Sequence, residues 1–423
     1  MNLPAGVRLH LIHETKFKTI RVQLRFLTAF EPRQIAARVL LSNLMEAANA
    51  DYKTPQAIQE RLASMYGATF SSDVVRKGAQ HQLILIMSLV NPKLVAEDTL
   101  SEGLEFLHSV IFKPLWDEEL FTIEKTNLLH YLASSEDDND YVAGRRLREL
   151  FYGTWLPAEG DLESVEATTL EDVRSAYERL LASDLTDIFI LGNVEEADLT
   201  ETLATWTWPS RTPATLSIFD TPQKPMLSNL TEVTEHKEAY QSVLALAWKL
   251  PIQYGDKDYM ALQVMNGLFG AMPHSKLFKI AREERSLAYE IGSAFDSWSG
   301  LFRVMAGIDA ADAKATRTLI LELLAQVADG DFDESDLADT KKMLKNGYYM
   351  SLDNAGALIE HAFTQSQVPE RFLDKADFLV QLAAVTSADV QKVARKLQLQ
   401  VVYLLEGITD TSTTETAPHQ ERV

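Results

Sequence analysis

The sequence predicts an α+β protein of two homologous tandem domains, each an antiparallel sheet packed with helices. Two observations carry this. "VQLRFLTAFEPRQIAARVLLSNLMEAA" (Val22–Ala48) reads as an alternating strand followed by a helix, and "VLALAWKLPIQYGDKDYMALQVMNGLFGA" (Val243–Ala271) reads the same way. The same order then continues in both halves. A shared order of elements, offset by a little over 200 positions, marks a duplicated unit. Antiparallel strands with long helical insertions belong to the α+β class.

After the first strand and helix comes a helix ending in a tyrosine and small residues, "QERLASMYGATFSS" against "KIAREERSLAYEIGSAF". A strand follows, "HQLILIMSLV" against "GLFRVMAGID", and then a long helix, "WDEELFTIEKTNLLHYL" against "FDESDLADTKKMLKNGYYM". Each long helix starts with an Asp ahead of acidic residues, an N-cap with favourable first-turn charge. "TWTWPSRTPATLSIFDTPQKP" (Thr205–Pro225) is rich in Pro and Thr and lacks periodicity, so it reads as a linker in which Trp206 and Trp208 pack the hinge against a core. The polar end, "ITDTSTTETAPHQERV", reads as a disordered tail. The expected organisation is residues 1–204, a first domain; 205–228, the linker; 229–408, a second domain; and 409–423, the tail.

Composition bounds the function. The 423 residues carry a formal net charge of −21, spread along the chain, which repels phosphates and argues against nucleic-acid binding. No run of about 18 apolar residues is present, so no membrane span is expected. The start, "MNLPAGVRLHLIHE", lacks a basic region, an apolar stretch and a cleavage site, and cysteine is absent. Together these set a cytoplasmic expectation. There is no Gly-x-Ser-x-Gly and no phosphate-loop order.

Four stretches resemble, in order, segments of the pitrilysin-like zinc peptidases (the inverzincins, which include insulysin and the mitochondrial processing peptidases). They are "GVRLHLIHETKFKTIRVQLRF", "GTWLPAEGDLESVEATTLEDV", "DIFILGNVEEADL" and, most tellingly, "LFGAMPHSKLFKIAREERSLAYEIGS" (Leu268–Ser293). The resemblance covers nearly the whole chain apart from its last fifteen or so residues. Active members carry His-x-x-Glu-His on the first helix. Histidines at i and i+4 share a helix face and hold zinc, and the Glu serves as general base. A Glu far downstream is the third ligand.

Laid on "SNLMEAA", that motif puts Asn43 at the first histidine, Glu46 at the base and Ala47 at the second histidine. The distal glutamate falls by this reading at Tyr131, beside His130. The base position survives and the three metal ligands do not. Glu46 then reads as a solvated or capped helix residue. None of the nine histidines pairs at i, i+4, so no metal site is expected in this chain.

The second half keeps Arg282 and Tyr289, seven residues apart. The resemblance implies that such a pair reaches the substrate backbone at the zinc site. A guanidinium and a phenol both donate hydrogen bonds to a carbonyl oxygen that gains charge. Loss of the metal set beside a retained Arg/Tyr pair resembles two-subunit members, in which one chain carries zinc and its relative supplies the facing wall.

The expectation is therefore a non-catalytic subunit of a heterodimeric zinc peptidase. It would form half of a peptide-binding chamber beside a related zinc-bearing chain, with peptide or unfolded protein as substrate and zinc only in the partner. An alternative is a proteolytically inactive peptide- or protein-binding scaffold, possibly homodimeric. A third reading is an enzyme with a reassigned site around Glu46 and His130.

Overall fold

A computed structural model describes residues 3–153, 157–219 and 229–408. Residues 220–228 of the expected linker and the whole of the expected tail, 409–423, lie outside them. The chain divides into two compact units. Unit 1 is Met1–Ser135, Leu156–Pro222 and Asn346–Phe372; unit 2 is Glu136–Trp155, Gln223–Lys345 and Leu373–Val423.

Unit 1 is built on five strands: β1 (Val7–His13), β2 (Thr19–Ala29), β3 (Thr69–Lys77), β4 (Gln80–Val90) and β5 (Leu185–Gly192). They lie in the order β1-β5-β2-β4-β3. Unit 2 has β6 (Thr231–Glu238), β7 (Ser242–Lys249), β8 (Glu290–Asp296), β9 (Leu301–Ile308) and β10 (Gln398–Ile408), in the order β6-β10-β7-β9-β8. Strand for strand the two orders are identical, as the repeat predicts. Each sheet is antiparallel except at one edge, where β1 runs parallel to β5 and β6 parallel to β10. That pair joins a unit's first and last strands, so nearly the whole unit forms the crossover, as a parallel connection requires.

Local sequence explains the joints. The β3–β4 hairpin turns on Gly78-Ala79, and Gly78 has φ +57°, where a Cβ would stand 2.0 Å from the Ile218 carbonyl oxygen. The helices before the last strands, Leu170–Ala182 and Ser387–Ala394, both open on a capping box, Thr169 with Asp172 and Thr386 with Asp389. Asp117 caps the helix Glu118–Ser135, accepting the Leu120 N–H at 2.8 Å, as expected.

One face of sheet 1 is covered by the helix Ile35–Ala47, whose Leu40, Leu41 and Leu44 are buried in the core with Phe26, Leu85 and Val173. Trp206 joins that core at 6% exposure, edge-on to Phe112, and Trp208 packs beside it.

The compact units depart from the expected boundaries at two helices. Asn139–Tyr152, encoded in the first half, packs Ala143 and Leu147 on Val243, Ala245 and Val401 of sheet 2. Ala355–Gln367, encoded in the second half, lies in unit 1 and buries Ile359 and Phe363. There Arg25 of β2 sits 4.1 Å from the Phe363 ring centroid and 2.6 Å from Glu360. Each sheet is thus completed by a helix that the other half encodes.

Candidate functional site

The helix Ile35–Ala47 carries the stretch that resembles a metal motif. Its Leu44 and Met45 face the core, while Asn43, Glu46 and Ala47 are half-buried on the other side. These three line a cavity of about 390 Å³ with Pro55, Gln59 and Glu124.

Glu46 is neither free in solvent nor a cap. Ser72 of β3 donates its backbone N–H to Glu46 Oε2 at 2.6 Å, and its hydroxyl lies 2.7 Å from the same oxygen. A carboxylate held by two donors on a neighbouring strand is fixed in direction. Its charge has consequences around it. Burial first, and then Glu46, push Glu124 above the usual carboxylate range. Asp73 is raised in the same way, by burial and then by Glu46, against the pull of the Val74 N–H.

The carboxylate that lines the cavity from this helix is Glu124; Tyr131, the expected position, does not line it. Tyr131 is 55% exposed, and His130, beside it, is exposed too. The two positions differ by seven residues, which on a helix is the same face two turns away, about 10.5 Å along the axis. The sequence thus points to the correct face of Glu118–Ser135 at the wrong height. The signal that separates the two is chemical: Glu124 is the carboxylate on that face.

Zinc of the catalytic kind needs three protein donors drawn from His, Cys and carboxylates. The cavity offers two carboxylates, two amides, a proline ring and a methyl group, so its residues do not fit zinc. Among the described residues no group of three or more His, Asp or Glu could hold a metal ion.

In unit 2, Arg282 lies near the end of a π-helical segment, Leu277–Glu284, and Tyr289 immediately precedes β8. The chain between them turns at Ser286, φ +49°, and the Leu287 N–H closes back on the Ala281 carbonyl at 2.9 Å. Both side chains are exposed. The Arg282 guanidinium stacks 4.9 Å from the Phe278 ring centroid and makes no ion pair among the described residues. Tyr289 is 60% exposed, pinned by its N–H to the Gly307 carbonyl at 2.9 Å, and its hydroxyl donates to Asp309 Oδ1 at 2.9 Å. That bond raises the phenol's pKa, so Tyr289 stays a proton donor.

Among the described residues no helix is long and apolar enough to cross a membrane. Residues 167–344 match the family described as the peptidase M16 inactive domain. The chain is 28% identical over 417 residues to the probable inactive metalloprotease YmfF of Bacillus subtilis, covering 96% of this chain and 97% of that one. A conserved protein of Enterococcus faecalis V583 has the same fold, with a TM-score of 0.91 and 36% identity over 96% of this chain and 98% of its own. A shorter stretch of 152 residues, 34% of each chain, is 29% identical to subunit 2 of the mitochondrial cytochrome b-c1 complex of Rattus norvegicus. With its duplicated fold, its match to the M16 family model over residues 167–344 and its first-helix Asn43, Glu46 and Ala47 in place of His-x-x-Glu-His, the chain is a homologue of the M16, pitrilysin-like peptidases that lacks their zinc motif.

Proposed function

We propose that this chain is the non-catalytic subunit of a heterodimeric zinc peptidase. It forms half of a peptide-binding chamber and presents Arg282 and Tyr289 to the substrate at the zinc site of a related partner chain. The observation that carries this reading is an asymmetry of retention. The cavity of unit 1 keeps its carboxylates, Glu46 and Glu124, while Asn43 and Ala47 stand where the nitrogen donors belong. In unit 2, Arg282 and Tyr289 are exposed, and the Tyr289 hydroxyl is a donor, to Asp309.

The chemistry suits a supporting role. The partner's zinc would polarise the scissile carbonyl and its bound water. This chain's part is to orient the peptide. Arg282 can donate to a peptide carbonyl at the small cost of leaving the Phe278 ring, and Tyr289 can exchange Asp309 for a substrate oxygen. A relative whose name places it in a multi-subunit complex supports assembly with other chains.

The test is the native mass and metal content of the protein drawn from its own cells, followed by substitution. The expected result is a one-to-one complex with a chain of similar size, holding about one zinc per pair. Arg282→Ala and Tyr289→Phe should each lower the complex's peptidase activity by about a hundredfold or more with assembly intact, the size of one lost transition-state donor. A metal-free homodimer or monomer without a companion would overturn the reading and leave a peptide-binding scaffold in its place.

A further inference from the structure

Unit 2 contains a second cavity, of about 520 Å³, between the helix Asn139–Tyr152 and one face of β8 and β9. Alternation along each strand sets its floor. Glu290, Gly292 and Ala294 of β8 stand opposite Gly307, Met305 and Arg303 of β9. The floor is therefore graded in charge. Glu290 lies at one end, where Asp140 of the helix joins it, and Arg303 lies at the other. Between them Gly292, Met305 and Gly307 add no charge and little bulk.

Arg303 is a half-buried cation without a counter-ion. Among the described residues it makes no ion pair, and its one polar contact is a donation to Met305 Sδ at 3.0 Å, a weak acceptor. Burial, and then the charge of Arg148 nearby, pull its pKa down to about 10. The other two guanidinium groups on the wall are engaged. Arg148 donates to the Gly144 carbonyl at 2.9 Å and is drawn to Tyr152 and Asp296. Arg145 is paired with Glu136 and Glu149.

Unit 1 shows how this fold answers a buried strand arginine. There Arg25 of β2 is buried, and the helix Ala355–Gln367 brings Glu360 to 2.6 Å from it. In unit 2 the helix meets Arg303 at Gly144, which has no side chain to offer. A Cβ at that position would lie 3.7 Å from Arg303 Nη1 and inside the cavity wall. The space in front of the Arg303 guanidinium is thus open to a carboxylate from elsewhere.

We propose that this cavity binds a monocarboxylate, its carboxylate on the Arg303 guanidinium and its uncharged body along the small residues of the floor. A planar guanidinium pairs with a carboxylate through two parallel, charge-assisted bonds, and such a pair offsets the cost of holding a cation away from water. Asp140 and Glu290 set the direction, because they repel the carboxylate from the far end. The volume lies within the range of small-ligand sites. The same chemistry has two sources, a free carboxylic acid and the acidic side chain of a peptide. The inference does not depend on pairing with a zinc-bearing chain.

The test is calorimetric titration of the full chain with two matched pairs of ligands. One pair is hexanoate and hexanamide; the other is acetyl-Ala-Glu-Ala-amide and acetyl-Ala-Gln-Ala-amide. At least one of the two anions should bind saturably, and its neutral counterpart should bind about tenfold or more weakly. The tighter of hexanoate and the Glu peptide identifies the source of the carboxylate. Arg303→Gln should remove the preference for the anion, and Arg303→Lys should keep part of it. Gly144→Asp, which places a carboxylate in the open space, should abolish binding. Three results would overturn the proposal: no saturable binding of either anion, equal binding of anion and neutral counterpart, or an unchanged preference in an Arg303→Gln chain that melts like the wild type. The titration needs no partner chain. A failure here therefore leaves the proposed function untouched, and a failure to find a partner leaves this binding untouched.

Discussion

Arg38 and His81 share a hydrogen bond in the core of unit 1, and that contact fixes the imidazole's protonation. Arg38 Nε donates to His81 Nδ1 at 3.1 Å, so the ring proton sits on Nε2, 3.0 Å from the Ala158 carbonyl. Burial, and then the Arg38 charge, pull the His81 pKa down to about 3. The unfolded chain takes up this proton from about pH 6.5 downward while the folded chain refuses it, so stability is full above pH 6.5 and falls as pH drops toward 3. The contribution is up to about 1.4 kcal/mol per pH unit. Urea titrations at pH 7, 6 and 5 should show this slope as the difference between the wild type and His81→Gln. Equal slopes in the two proteins would remove His81 from the account. At this same scale the sequence was legible where chemistry is local and opaque where it depends on depth. Asn43, Glu46 and Ala47 could be placed because one helical turn fixes their relation. The grip of Ser72 on Glu46 could not, since it joins strand to helix across 26 residues. Glu124 was missed by two turns because a lone chain gives a helix's phase more readily than its height.

Elements carry the next level of information. The strands, the capping boxes and the alternation of β8 with β9 follow from period and polarity, and they could be read directly. The destination of two helices could not. Asn139–Tyr152 and Ala355–Gln367 are amphipathic segments, and nothing in an apolar stripe says which of two similar sheets it will cover. The parallel edge pair escaped for a related reason, because strand direction across a whole unit is decided by topology rather than by local pattern. Phe363 is the anchor of the second helix, fully buried against Phe189 and the Arg25 guanidinium. Phe363→Ala should cost about 3–5 kcal/mol in denaturant unfolding. Amide exchange should quicken across residues 355–367 before it does in β2. A loss below 1 kcal/mol would show that the helix is held elsewhere.

For the molecule as a whole, the duplication was readable and the charge is its dominant global property. With a formal charge of −21, mutual repulsion weakens the folded state at low ionic strength, and surface ion pairs, each worth about 0–1 kcal/mol, offset little of it. The melting temperature should therefore rise between about 20 and 200 mM NaCl, where the screening length contracts. A fall over that range would mean that exposed pairs such as Arg317–Glu232 outweigh the net field. The exchange of helices also has a meaning for how the chain is made. Synthesis runs from the N-terminus, yet unit 1 needs residues up to Phe372. Sheet 1 must wait, one face unfinished, while about three quarters of the second half leaves the ribosome. The helix Asn139–Tyr152 waits in turn for a sheet not yet translated. Cutting the gene at the linker would therefore give two products, each lacking a wall and each carrying an orphan helix. The duplication made two copies of a domain, but the exchange has made them a single unit of inheritance.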